Sequence, residues 1–408
     1  MTLSATARTR PGKGHERRLA FHTTHDPDTG AAVTRLTPPD VTCHRNYFYQ
    51  RCFDASGTRL LFGAEFGPDT GNPASPNWNY HWLDLKSGIA VQLTDGAREN
   101  TFGGFLSPDD RFLYFVRAER QLVRLSMADL REEIVYTVPE GWVGYGTWVA
   151  NSACTRMVGI EIDARDWFPL SDWQRFHAMF HARPRCRLIR IDLTGPRQGT
   201  REVILEQAGW LGHPQYRPGD DHTVAYCHEG PHDLVDARMW FIDEDGGNRR
   251  CGKVHEPGES CTHEFWVPDG SAMIFVSYKK GERERWICRL DPVTLQSRRL
   301  ATMPPCSHLM SNDDGTRIVG DGCDSPADVA DAGAHAIETD PFLHLFEFGA
   351  DGLVKQRRVA HHDSSWKVHK GNRQVTHPHP SFTPDGQRVL FSSDRDGEPA
   401  VYLADIPA

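Results

Sequence analysis

One turn signature recurs seven times along this 408-residue chain: an aromatic or polar residue, a short gap, Asp-Gly or a near equivalent, then an apolar strand. The copies are FDASGTRLLFG around Ser56, FLSPDDRFLYFV around Asp109, VANSACTRMVGI around Ala153, YRPGDDHTVAYC around Asp220, FWVPDGSAMIFVSY around Asp269, LMSNDDGTRIVG around Asp314 and SFTPDGQRVLFSS around Asp385. Successive anchors lie 53, 44, 67, 49, 45 and 71 residues apart, the size of one four-stranded unit with two long insertions. After each anchor comes an apolar second strand. A third strand then ends in an acidic hairpin, as in YHWLDLKSG, CRLIRIDLTG, RMWFIDEDGG, RWICRLDPVT and LHLFEFGADG, and a shorter fourth strand often follows. Seven such units predict an all-β fold, a seven-bladed β-propeller occupying residues 21–408 as a single domain. The last unit ends in AVYLADIPA and lacks a fourth strand; the N-terminal AAVTRLT is expected to supply it, closing the ring and covering an open edge. Residues 1–20 are expected to be a disordered lead-in. A six-bladed ring with one degenerate unit and a pair of β-sandwiches are the competing arrangements.

Composition agrees with many short strands and restricts the partners. The 36 Gly and 27 Pro are spread along the chain. A formal charge of −9 argues against a nucleic-acid binder, which needs a basic face, and leaves room for a local cationic pocket. No apolar run reaches the roughly 18 residues of a membrane span, and the polar start MTLSATARTRPGKGHERRLAF is unlike a signal peptide, so a cytoplasmic location is expected. The ten cysteines include no CxxC pair and read as reduced core residues. No sequence feature sets an oligomeric state.

In a propeller the first strand of each blade lines the central channel, so residues just before each turn approach that channel. His263, His308 and His379 each lie six residues before their anchors, His377 lies eight before, and His213 lies seven before. The first three units carry Gln50, Gly103 and Thr147 at that place. Any one such histidine fits a hydrogen-bonded channel residue. Matching register on neighbouring blades, with a fourth imidazole two residues away, favours a metal site. Strand alternation predicts that His377 and His379 share a side, and Pro378 and Pro380 are expected to bias them towards extended geometry. Gln374 adds an amide oxygen. Three imidazoles and one oxygen leave open positions, which suits a Lewis-acid Mn²⁺, with Fe²⁺, Ni²⁺ and Zn²⁺ as alternatives.

Strand direction adds Arg238. It opens a third strand in VDARMWFIDEDG after the long loop CHEGPHDLV, which places it, with His228 and His232, at the same mouth as the histidine arc. HExxH, GxSxG, P-loop and strand-following GxGxxG motifs are absent from the sequence. Two other readings stand beside a metal-dependent enzyme: a non-catalytic TolB-like propeller that binds a partner at its channel mouth, and a glycoside hydrolase, which would need paired carboxylates there.

The stretches LTPPDVTCHRNYFYQRCF, NTFGGFLSPDD, GWVGYGTWVAN, WLGHPQYRPGDD, CHEGPHDLVDARMWFI, GESCTHEFWVPDGSAMIFVSY, MPPCSHLMSN and RQVTHPHPSFTPD, spread from about residue 33 to the C-terminus, resemble the oligogalacturonate lyase family, polysaccharide lyase family 22. The resemblance implies a cytoplasmic seven-bladed propeller that cleaves short oligogalacturonides by β-elimination in pectin breakdown. It implies Mn²⁺ held by His308, Gln374, His377 and His379, with His263 as the proton-abstracting base and Arg238 assisting at the reacting centre. The substrate would be an acidic disaccharide, saturated or unsaturated, and the product an unsaturated monomer that rearranges to 5-keto-4-deoxyuronate. His44, Arg45 and His213 are further candidates for substrate contact, because all three precede or begin channel strands.

Overall fold

Each of the seven repeat signatures folds into the same tight turn. The backbone N–H groups of Gly57, Asp110, Cys154, Asp220, Gly270, Gly315 and Gly386 donate to carbonyls three residues earlier. Six of these seven donors have a positive φ, between 53° and 70°, which explains the recurring glycine or aspartate. The computed structural model describes residues 12–66, 77–168, 178, 180–230, 234–279, 284–305, 308–322, 340–372 and 374–407.

Seven antiparallel sheets follow the seven turns. The innermost strands, in ring order, are Cys43–His44, Phe105–Leu106, Trp142–Ala150, Leu211–Tyr216, Glu259–Trp266, Leu309–Ser311 and Ser381–Phe382. Second strands such as Leu60, Leu61 and Phe62 of blade 1 have consecutive side chains fully buried, because each blade is covered on both faces by its neighbours. One apolar cluster accordingly runs from Leu61 and Leu83 of blade 1 to Leu113 of blade 2 and Leu403 of blade 7. All eight cysteines among the described residues are free, seven of them buried. No helix among the described residues is long and apolar enough to cross a membrane.

The ring closes as expected, with one addition. Ala32–Arg35 pairs antiparallel with Ala400–Asp405, setting Val33 opposite Ala404, and His22–His25 adds a fifth strand outside it. The stretch expected as a lead-in departs from that expectation: Glu16–Arg18 pairs with Ile89–Gln92 as a fifth strand on blade 1. That short segment satisfies the outer edge of a second blade, a backbone effect that polar composition does not reveal.

Asp26 pins the closing hairpin to blade 6. Its Oδ2 accepts from the backbone N–H and Nδ1 of His361 at 2.7 and 2.8 Å, and its Oδ1 accepts from the Asp28 and Thr29 amides. Burial alone would raise its pKa, but the His361 and Thr29 donors outweigh it and hold the carboxyl down to about 2. A depressed carboxylate contributes stability above its unfolded pKa of about 3.9 and loses it as pH falls through the folded value. Asp26→Ala should cost about 1–3 kcal/mol at neutral pH. Denaturant melts should show that gap shrinking in acid.

Candidate functional site

The inner strands of three consecutive blades slip register at corresponding places: between Tyr145 and Val149, between Gly212 and Gln215, and between Thr262 and Phe265. Residues in these bulges take positive φ, 70° at Gly146, 45° at His213 and 54° at His263. A bulge turns a side chain that regular alternation would point elsewhere, and a left-handed histidine persists only where its surroundings hold it. Hence His213 and His263 are aimed by the backbone.

Blade 7 reaches the channel differently. Gln374–Thr376 form a single 3-10 turn, the backbone of His377–Pro380 is irregular, and the paired strand begins only at Ser381. His379 has φ of 48°, so the expectation of extended geometry imposed by Pro378 and Pro380 is corrected. The two imidazoles still converge. They do so through a turn and a left-handed residue, with the Pro378 carbonyl accepting from the Ser392 amide.

His308, His377 and His379 are all buried, and each offers a ring nitrogen within 4.8 Å of the others. Both ring nitrogens of His379, and Oε1 of Gln374, are buried without a hydrogen-bond partner among the described residues. Burial first, then the neighbouring imidazoles and Arg45, push the His379 pKa well below the usual histidine value and keep it neutral. Buried acceptors left open are costly unless a cation meets them, so this donor set fits a divalent ion. Asp321 orients the third imidazole: its Oδ2 accepts from His308 Nδ1 and its Oδ1 from the His308 amide, both at 2.7 Å, leaving Nε2 to face the cluster. Trp366 stacks on His308 at 5.8 Å and packs against His377 at 4.4 Å between ring centroids.

His263 lies beside this group, its ring centroid 4.8 Å from that of His308. Its Nδ1 meets the Thr262 hydroxyl at 2.9 Å, and Nε2 takes no part in that contact. Burial, reinforced by His308 and Arg238, lowers its pKa well below the ordinary value, so the imidazole is a neutral base.

Arg238 is buried and held from two sides. Nε and Nη2 donate to the two oxygens of Glu264 at 2.7 and 3.3 Å, and Nη1 donates to Glu229 Oε2 at 2.9 Å. Glu264 directly follows His263, so this ion pair ties the arginine to the strand that carries His263. His213 joins through Glu229 Oε1 at 3.1 Å, and its Nδ1 meets the Tyr49 hydroxyl at 3.1 Å. His228 is adjacent to Arg238 through its backbone, but its ring stacks on Trp240 and contacts Gln207. His232 lies outside the described residues.

His44 and Arg45 are occupied elsewhere. His44 donates from Nδ1 to the Arg45 carbonyl, accepts at Nε2 from Thr101, and stacks on Phe102 at 4.0 Å. Burial pushes its pKa down to about 4. The buried Arg45 guanidinium donates to the Asn46 and Leu390 carbonyls and to Ser381 Oγ. Gln50, registered with the histidines from sequence, donates to the Gly103 and Trp148 carbonyls and knits three blades together.

Sequence reasoning missed Glu229, Glu264, Asp321, Trp366 and the aromatic run Tyr47, Phe48, Tyr49. Asp321 was within reach, because pairing Leu309 with Gly320 sets it opposite His308. The run NYFYQ was a visible signal too: the Tyr47 ring lies 5.0 Å from His379 and 5.8 Å from His213. Together the groups offer a cation site, a neutral base and a directed guanidinium.

The family model described as oligogalacturonate lyase matches residues 11–408. The chain is 60% identical over 396 residues to the oligogalacturonide lyase of Pectobacterium atrosepticum and to the oligogalacturonate lyase of Dickeya dadantii, covering 97% of this chain and 98% of each relative. A solved oligogalacturonate lyase in complex with manganese superposes with a TM-score of 0.88 at 57% identity, covering 97% of this chain and 99% of that one. The oligogalacturonate lyase of Vibrio parahaemolyticus superposes with a TM-score of 0.87 at 52% identity over the same shares.

Proposed function

The chain belongs to the oligogalacturonate lyase family, and we propose that it cleaves digalacturonate, saturated or 4,5-unsaturated, by β-elimination with a divalent ion, Mn²⁺, as cofactor. The unsaturated monomer released would rearrange to 5-keto-4-deoxyuronate, a step of pectin degradation in the cytoplasm. The observation that carries this reading is the convergence of three buried imidazoles, with a fourth beside them whose own hydrogen bond leaves one nitrogen for proton transfer.

β-Elimination must remove the C5 proton, α to a carboxylate, and expel the C4 oxygen. Deprotonation places further negative charge next to an ionised carboxylate. His308, Gln374, His377 and His379 would hold a divalent ion, which when bound would supply positive charge beside this carboxylate. His263 Nε2 takes the C5 proton, the electron pair left at C5 forms the C4=C5 double bond as the C4–O bond breaks, and the departing oxygen takes up a proton to leave as a hydroxyl. Of the five N–H groups on the Arg238 guanidinium, three are engaged by Glu229 and Glu264, leaving donors for the substrate carboxylate. His213 and Tyr49 would border the bound sugar, with both ring nitrogens of His213 already engaged by Tyr49 and Glu229.

Hydrolysis is the poorer fit, although Glu229 and Glu264 form a carboxylate pair. Despite burial, which alone would raise them, the Arg238 charge keeps both pKa values below the usual range, whereas a general acid needs one raised. The deciding experiment is incubation with digalacturonate and Mn²⁺, with and without chelator, followed by ultraviolet absorbance and product identification. Elimination creates a conjugated double bond; saturated products alone would overturn the proposal. Arg238→Ala is expected to lower kcat by about 10²–10³-fold, the size of a lost charge-stabilising donor, and not merely to raise KM.

A further inference from the structure

We propose that Glu229 is a positioning residue of this site, which locks Arg238 and His213 into one frame while holding the arginine's charge compensated. The inference rests on the elimination reading. Glu229 follows the second strand of blade 4, Thr223–His228, and is the node of a network drawn from several blades. Its Oε2 receives Arg238 Nη1 at 2.9 Å; its Oε1 receives His213 Nε2 at 3.1 Å and the Cys227 thiol at 3.5 Å. From His213 the network continues to the Tyr49 hydroxyl at 3.1 Å and on to Thr147.

Space for this carboxylate is built into the backbone. A Cβ at Gly212 would stand 2.4 Å from Glu229 Oε1, 2.9 Å from its Cγ and 3.0 Å from its Cδ. Gly212 opens the bulge that carries His213, so one slip both turns the histidine and makes room for the acid that holds it.

Charge gives Glu229 a consequence distinct from packing. Two carboxylates, Glu229 and Glu264, face the one Arg238 guanidinium, so much of its charge is compensated before an anionic sugar arrives. Arg238 therefore acts as an aimed donor more than as an attracting cation. Removing the Glu229 charge strengthens ground-state attraction for the substrate carboxylates and frees the two side chains that Glu229 holds. The two effects move KM and kcat in ways that a general loss of structure does not.

The test is steady-state kinetics of full-length Glu229→Gln on digalacturonate with saturating Mn²⁺, alongside metal content and thermal melting. We expect wild-type metal content, a kcat lowered by tenfold or more, and a KM unchanged or decreased. Wild-type kinetics, or a raised KM at unchanged kcat, would overturn the inference. Should that variant fail to fold, Gly212→Ala displaces the carboxylate while keeping its charge, and it should lower kcat at unchanged KM; wild-type kcat there overturns the inference as well. A wild-type protein that forms no unsaturated product refutes the underlying elimination reading, whereas an active wild type with an indifferent Glu229→Gln refutes this inference alone.

Discussion

His263→Ala is expected to remove turnover, by about 10²–10⁴-fold for the loss of a general base, while the protein keeps its metal. His263 is the one imidazole of the arc whose Nδ1 is held by its own neighbour, Thr262, and it lies outside the three-histidine group although its ring is 4.8 Å from His308. Metal analysis beside the kinetics separates the two roles available to it. A variant that loses metal along with activity makes His263 a ligand and leaves the reaction without its base.

The complementary result is expected for His377→Ala and His379→Ala: loss of metal and of turnover together, matched by chelator treatment of the wild type. Both side chains are buried on an irregular segment, so alanine removes a proposed ligand, and at His377 it also leaves a gap against the Trp366 indole. The loss in rate should be at least as large as for His263→Ala, because charge stabilisation usually exceeds base catalysis in such reactions. Added Mn²⁺ should restore the chelated wild type and fail to restore either variant. Rescue of His377→Ala at ordinary metal concentrations would show that the remaining donors suffice and that His377 is not a ligand.

Much of this molecule can be read from its letters, and the reason is repetition. A propeller blade reuses one turn, and in six of the seven copies the turn's amide donor has a positive φ, so glycine or aspartate returns in most blades and marks the period. The same period registers His263, His308 and His379 at one height. The closing role of AAVTRLT follows from counting strands. By contrast, nothing in composition distinguishes Glu16–Arg18, which adds to a blade only because an edge is open there.

What the sequence determined by itself was therefore the ring, its seven units and the histidines registered before its turns, because local turn chemistry and an apolar second strand leave a mark in every copy. Tertiary structure alone decided how those histidines point. A one-residue slip at Thr262–Phe265 and a left-handed His379 leave no such mark, since both depend on what the neighbouring blades press against them. It also decided which acids matter. Glu229, Glu264 and Asp321 look like any of the 55 acidic residues until folding sets them against Arg238 and His308 in a site where an unpaired charge cannot remain buried.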